Sequence, residues 1–189
     1  MKFVEPIRDK NTVNAMADYI RNNYGDKYFI MFEIGIHTGL RISDILKLRV
    51  IQVSGKDEIT ITETKTQHTK KTNKSKLVVF NARLKSELAE YIKDLPSYYH
   101  LIYNQRNPTK GISRAYAYRV IHESGLAFGL EHCGTHTMRK TFGFHYYSQH
   151  KDIAFLMKLF NHSDQTKTLR YIGIENDDFR RALSKSLYD

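Results

Sequence analysis

At 189 residues the chain is long enough for one hydrophobic core and short for two, and folding should bury about 70% of the extended chain's surface without a disulfide or metal staple. Hydrophobic residues make up 41% and charged residues 26%, the balance of a globular domain, and Cys133, the single cysteine, excludes an intrachain disulfide framework or a thiolate zinc cluster. Thirty Lys and Arg against twenty Asp and Glu leave a formal net charge of +10, which favours a polyanionic partner because each phosphate neutralised releases condensed counterions.

The first residues, Met1-Lys-Phe-Val4, run straight into charged ones and lack the pattern of a signal peptide. Asn11 stands as an N-cap ahead of Val13, Met16, Ala17 and Ile20 at helical spacing. Residues 28–37 are apolar on nearly every side, which predicts a buried helix; Glu33 interrupts the run, and its length is far below the ~20 residues of a membrane span. No basic amphipathic helix or lipidation motif accompanies the charge, so a soluble cytoplasmic protein without membrane attachment is expected. A turn at Thr38-Gly39 leads into a helical stretch over 41–48, with Ile42, Ile45, Leu46 and Leu48 on its apolar side.

Over residues 50–80 the pattern changes. Glu58-Ile-Thr-Ile-Thr-Glu63 alternates and is rich in β-branched residues, as is Lys76-Leu-Val-Val-Phe80, which predicts two strands. The polar run between them carries Lys65, Lys70, Lys71, Lys74 and Lys76, an extended basic loop. Helices are then predicted over 84–95, 113–124, 136–147, 153–160, 165–172 and 179–187, with Thr135 and Asp152 as N-caps. Pro6, Pro96 and Pro108 mark no linker, and no internal repeat or low-complexity segment appears. The expected fold class is therefore mainly α with a small antiparallel β-sheet (α+β), one domain over 1–189 with residues 175–189 as a C-terminal tail helix.

Three separated segments carry residues suited to one chemistry. His37-Thr-Gly-Leu-Arg-Ile-Ser-Asp44 places Arg41 at a helix start, and in Thr135-His-Thr-Met-Arg-Lys-Thr-Phe142 the three-residue spacing of His136 and Arg139 puts both on one helical face. In the third segment Asn161-His-Ser163 precedes Tyr171, nine residues after His162. Phosphoryl transfer at a DNA backbone needs fixed positive donors on the nonbridging oxygens, which arginine supplies as a planar fork. It also needs a nucleophile, a base for its proton and an acid for the leaving oxygen. A phenol ionises near ~10, so adjacent guanidinium groups and a histidine base help deliver it as phenolate. Singly, each residue has a plainer explanation: Arg41 as a surface charge, His136 as a core histidine, Tyr171 as packing, the lysine run as a solvated loop. Their joint occurrence in this order is what favours a site.

Thr38-Gly-Leu-Arg-Ile-Ser-Asp44, His136-x-x-Arg139 and Asn161-His-Ser163 with Tyr171-Ile172 together resemble the signature of the tyrosine recombinases, the phage and transposon integrases and chromosome-dimer resolving recombinases. The resemblance runs over nearly the whole chain and implies that family's catalytic-domain fold. It also implies a site-specific recombinase or integrase that cleaves and rejoins double-stranded DNA. By the same resemblance Arg41 and Arg139 clamp the scissile phosphate, His136 is the general base or proton shuttle, and His162 is a further hydrogen-bond donor to the phosphate. Tyr171 is the nucleophile, and Lys65, in Glu63-Thr-Lys-Thr66, is the general acid on the hairpin. Lys70, Lys71 and Lys74 remain alternatives for that hairpin lysine and, with Lys140, are expected to contact DNA. Asp44 is expected to buttress the site behind Arg41. The implied intermediate is a 3′-phosphotyrosine with a free 5′-hydroxyl, which conserves the bond energy, so no cofactor and no metal are expected. The sequence has no Gly-x-x-x-x-Gly-Lys loop, and residues 175–178 read as a helix cap.

The chain departs from the family pattern in places. Phe160-Asn161 stands where relatives usually have Leu-Gly, and asparagine is the best non-glycine residue for a helix end with positive φ. Lys140 stands where many relatives have histidine. The chain begins at the first catalytic-domain helix, without the helical module that closes a clamp around DNA in typical members; it is expected to be either a fragment of a longer protein or a short protein that grips one side of the duplex, and in the second case weaker, strongly salt-dependent binding is expected. The tail over 179–187 has apolar residues at helical spacing; in relatives such a tail docks on a neighbouring protomer, which predicts self-association on DNA, with packing on its own domain as the alternative. A noncatalytic DNA-binding regulator or accessory factor (phage repressor-like) that keeps the recombinase fold is the alternative function, and a relaxing topoisomerase shares the chemistry.

Overall fold

The structure, a computed structural model, describes residues 4–63 and 74–174. In chain order its elements are α1 (Lys10–Tyr24), α2 (Asp26–Thr38), the single turns α3 (Ile42–Ile45) and α4 (Val50–Val53), β1 (Glu58–Glu63), β2 (Lys74–Val79), α5 (Ala82–Ile92), α6 (Arg114–Leu126), α7 (Thr135–His150), α8 (Ile153–Phe160) and α9 (Gln165–Ile172). The mainly helical fold with one small sheet is thus as the sequence predicts. β1 and β2 pair antiparallel from Glu58 opposite Val79 to Glu63 opposite Lys74. Alternation puts Ile59 and Val78 into the core and leaves Leu77 and Val79 on the open face.

The all-round apolar α2 lies at the centre, as such a helix must. Phe29, Ile30, Met31, Phe32 and Ile34 are buried there, and α1, α5, α6 and α7 pack around them. Leu156, Phe160, Ile172 and Ile174 form a second, smaller cluster under α7, so α8 and α9 pack as a satellite of the main core. Glu33, the one break in the apolar run of α2, is fully buried. It meets Arg83 (3.2 and 3.3 Å) and, one helical turn away, His37 (3.2 Å). A charge inside a buried helix is tolerated because it is paired.

Several boundaries differ from expectation, each for a local reason. Asp9, not Asn11, caps α1: its carboxylate accepts from the Thr12 N–H and hydroxyl, both at 2.7 Å. Thr135 begins α7 rather than capping it; Gly134 is the cap, and its N–H donates to the Thr137 hydroxyl at 3.0 Å. Stretch 41–48 is one helical turn that continues into a hydrogen-bonded turn at 46–48, and α4 forms where no helix was predicted, directly after Arg49 bridges to His100. The boundaries of α8 and α9, and the Asp152 cap, match the prediction. The tail helix expected over 179–187 lies outside the described residues, as do Lys65, Lys70 and Lys71. No helix among the described residues is long and apolar enough to cross a membrane.

Candidate active site

Four elements converge at the C-terminal end of α8. Asn161 ends that helix in the left-handed conformation (φ 57°, ψ 46°), which asparagine accepts better than other non-glycine residues. The last carbonyls of α8 lack intrahelical partners and carry the negative end of the helix dipole. They attract both arginines: Arg41 Nη2 lies 3.5 Å from the Phe160 carbonyl, and Arg139 Nη2 lies 3.5 Å from the Leu159 carbonyl. Both contacts are long for hydrogen bonds. They are better described as cations held against the helix dipole.

Arg139 is anchored more firmly elsewhere. Its Nη1 donates to the carbonyl of Gly39, its guanidinium carbon lies 4.4 Å from the centre of the Phe160 ring, and it is 3% exposed. Gly39 sits at the C-cap of α2 with φ 62°, and a Cβ there would come within 2.7 Å of Phe142. The Thr38-Gly39 turn therefore does two things. It aims a carbonyl at Arg139, and it hands the chain to Arg41, the N-cap of α3. Asp44 follows in the first turn of α3, half-buried, with its N–H on the Arg41 carbonyl at 2.9 Å and one carboxylate oxygen, Oδ2, shielded from water.

Tyr171 is half-buried at the centre of this group. Its ring meets Phe160 and His162 edge-on, each with centroids 5.3 Å apart, and its hydroxyl is 3.5 Å from His136 Nδ1. Burial pushes the phenol pKa up, while the charges of Arg139 and Arg41 and a hydrogen bond from Arg139 pull it down. His136 has an exposed edge, yet the protein atoms around it hold its pKa below the ordinary 6.5, helped by the charges of Arg139, Lys140 and Arg41. His162 is shifted the same way, first by desolvation and then by Arg139, Lys167 and Arg41. Both shifts favour the neutral imidazole, the form that can accept a proton. His162 Nδ1 is 3.1 Å from the Thr168 hydroxyl, which in turn lies 3.0 Å from the Asp164 carbonyl. Thr168 thereby sets the plane of the His162 ring from within the helix that carries Tyr171.

The structure brings Arg41, Asp44, His136, Arg139, His162 and Tyr171 together. Lys140, expected to face DNA, is turned inward: it is 7% exposed, donates to the Val4 carbonyl at 2.6 Å, and has its ammonium 5.1 Å from the centre of the Tyr171 ring. The alternation of faces along α7 explains this, because the residue next to Arg139 is rotated toward the N-terminal segment. Lys74 is the end residue of β2. Sequence reasoning did not single out Thr168 or the Gly39 and Leu159 carbonyls, and it noted Phe160 only as a departure from the family pattern. Thr168, one helical turn before Tyr171, carried a readable signal; backbone carbonyls carry none. Among the described residues no group of three or more His, Cys, Asp or Glu is placed to hold a metal ion.

Comparison with known proteins shows the family and the fold. The family model described as the phage integrase family matches residues 8–177. The chain belongs to that family. It is 43% identical over 182 residues to a probable integrase/recombinase, YoeC, of Bacillus subtilis (strain 168), covering 96% of each chain. It is 23% identical over 193 residues to the tyrosine recombinase XerH of Campylobacter jejuni, covering all of this chain and 51% of that one. Among solved structures, the XerA recombinase superposes with a TM-score of 0.70 at 14% identity, over 96% of this chain and 65% of the other. XerH bound to its palindromic difH substrate in a post-cleavage complex gives 0.69 at 17% identity, over 97% and 53%. The chain thus spans nearly all of YoeC but only about half to two thirds of XerH and XerA, whose catalytic-domain fold it shares. Family membership places it among the integrases and site-specific recombinases and does not favour the reading as a noncatalytic regulator.

Proposed function

We propose that this protein breaks and rejoins double-stranded DNA by transesterification through Tyr171, as a site-specific recombinase acting in the cytoplasm. The observation that carries the reading is the Tyr171 hydroxyl 3.5 Å from His136 Nδ1, beside two arginines held at one helix end. Arg139 and Arg41 bind the nonbridging oxygens of the scissile phosphate and lower the cost of the charge that develops there. Of the five N–H donors of Arg139, those on the Gly39 and Leu159 carbonyls orient the fork and others serve the phosphate. His136 takes the phenolic proton as the oxygen of Tyr171 attacks phosphorus. The P–O5′ bond breaks, the 5′-oxygen leaves with a proton from Lys65, and the 3′-phosphate stays on Tyr171. Attack by the 5′-hydroxyl of a partner strand reverses each step and conserves the bond energy, so the cycle needs no metal or other cofactor.

His162 contributes through Thr168. That hydroxyl has one proton: directed at His162 Nδ1, it leaves the Nε2–H free to donate to the phosphate; directed at the Asp164 carbonyl, it leaves Nε2 as an acceptor. An incoming phosphate favours the donor state. Asp44 supports the Arg41 turn, Lys70, Lys71 and Lys74 contact the DNA backbone, and Lys140 acts from inside, beside the nucleophile's ring. The whole chain serves as one catalytic domain, and residues 175–189 mediate self-association on DNA.

The test uses nicked suicide duplexes selected for binding from a randomised pool, resolved on a denaturing gel. A covalent protein–DNA adduct is expected. Binding without any adduct across a range of salt concentrations would return the protein to the regulators.

A further inference from the structure

The nucleophile helix packs on the smaller of the two cores. α9 has only eight residues, its buried residues are Thr168 and Ile172, and Ile172 packs into a satellite cluster with four buried hydrophobic members. An element with so few buried contacts opens more readily than the main core. Something else holds its C-terminal end.

That end is met by residues from the other end of the sequence. Segment 4–8 runs across α7, attached at every step. The Lys140 ammonium donates to the Val4 carbonyl (2.6 Å), and the Glu5 N–H to the His132 carbonyl (3.1 Å). The Ile7 N–H donates to the Thr141 hydroxyl (2.9 Å), and His145 Nε2 to the Ile7 carbonyl (3.0 Å). Ile7 is 2% exposed and Pro6 is buried. The segment then delivers Arg8 to α9. Arg8 Nη2 donates to the carbonyl of Gly173, the C-cap of the nucleophile helix, at 3.2 Å, and the guanidinium lies 5.4 Å from the centre of the Phe144 ring of α7. A cation at a helix C-terminus satisfies an unpaired carbonyl and complements the negative end of the dipole. Pro6 closes the same contact from the side: a Cβ on Gly173 would lie 3.4 Å from its ring.

We infer that segment 4–8 is a strap that positions the nucleophile, with Arg8 as its positioning residue at the C-terminal end of α9. The strap and Lys140 form one unit. Lys140, next to Arg139 on α7, holds the start of the segment and lies beside the Tyr171 ring, while Arg8 ties its end two residues beyond Tyr171. The phosphate-binding arginines are held independently, at the end of α8 and at Gly39. The strap therefore acts on the attacking oxygen and not on the activation of phosphorus, and displacing it withdraws the nucleophile from an otherwise assembled site. This inference rests on the assignment of Tyr171 as nucleophile.

The experiment separates attack from activation. Arg8→Ala and Arg8→Lys are compared with the parent for single-turnover cleavage of the selected nicked duplex at saturating protein. The same changes are placed in a Tyr171→Phe background, where hydrogen peroxide supplies the hydroperoxide nucleophile that cleaves the same phosphodiester. Arg8→Ala is expected to slow tyrosine cleavage about tenfold, the equivalent of about 1.4 kcal/mol in the barrier. It should leave peroxide cleavage and duplex affinity unchanged, and Arg8→Lys should recover part of the loss. Equal loss in both reactions would overturn the inference, since the strap would then hold the whole site. So would unaltered tyrosine cleavage, or a loss confined to duplex affinity. If the parent itself forms no adduct, the nucleophile assignment fails first and the inference falls with it.

Discussion

Replacing Arg139 by lysine keeps the charge and removes the fork. In the parent, one nitrogen donates to the Gly39 carbonyl, a second lies against the Leu159 carbonyl, and the plane covers the Phe160 ring at 4.4 Å, all at 3% exposure. A lysine ammonium reaches one of these partners and abandons the others. Leaving the buried Gly39 carbonyl unsatisfied costs about 1–3 kcal/mol. The desolvated ring contact is worth up to about 2 kcal/mol and is kept only in part, while the 3.5 Å contact to Leu159 adds little. A stability loss of about 2–4 kcal/mol is expected, read as a lower urea midpoint with an unchanged slope. Cleavage should fall further than stability accounts for. One preorganised donor facing the developing charge is worth about 2.7–4 kcal/mol, on the order of a hundred- to a thousandfold in single-turnover rate. A variant with the parental midpoint and near-parental cleavage would refute the argument that this guanidinium joins α2, α7 and α8 around the phosphate.

Gly143→Ala would put a Cβ 2.6 Å from Ile172 and 2.9 Å from the Phe160 ring. It should push α9 off α7 at a cost of about 1–3 kcal/mol and slow adduct formation sharply; an unaltered adduct rate would count against the tight α7–α9 seat. At Asn161, with φ 57°, glycine should be neutral or stabilising, while valine should cost at least about 1–2 kcal/mol and loosen both arginines, seen as a drop in Tm. The lowered pKa values of His136 and His162 mean that the unfolded chain binds more protons just below its ordinary histidine pKa of 6.5. Stability should therefore fall as pH drops from 6.5 through the folded values, and His136→Gln with His162→Gln should shrink that dependence in urea melts at pH 7.5 and 5.5.

Much of this was legible in the sequence because the signals were local. The spacing of Val13, Met16, Ala17 and Ile20 placed α1, β-branched alternation placed both strands, and Asp152 placed the start of α8. His136 and Arg139 shared a helical face by spacing alone. Asn161 was readable as a left-handed residue because few others accept that conformation. What stayed hidden depends on tertiary approach. The Arg83 partner of Glu33 lies 50 residues away, the Arg139 acceptor Gly39 lies 100 residues away, and the contact between Arg8 and Gly173 spans 165. No pattern in one chain encodes such pairs. Lys140 misled for a related reason: a lysine in a basic protein reads as a surface charge, and only the fold shows that the N-terminal segment covers it.

The central claim is that the Tyr171 oxygen becomes covalently joined to DNA. The measurement is mass-spectrometric mapping of the adduct formed on a nicked suicide duplex after nuclease and protease digestion, with Tyr171→Phe beside the parent. The account predicts a nucleotide carried through its 3′-phosphate on Tyr171 in the parent and no adduct in the variant. An adduct mapped to another residue, or one that persists in Tyr171→Phe, would contradict it.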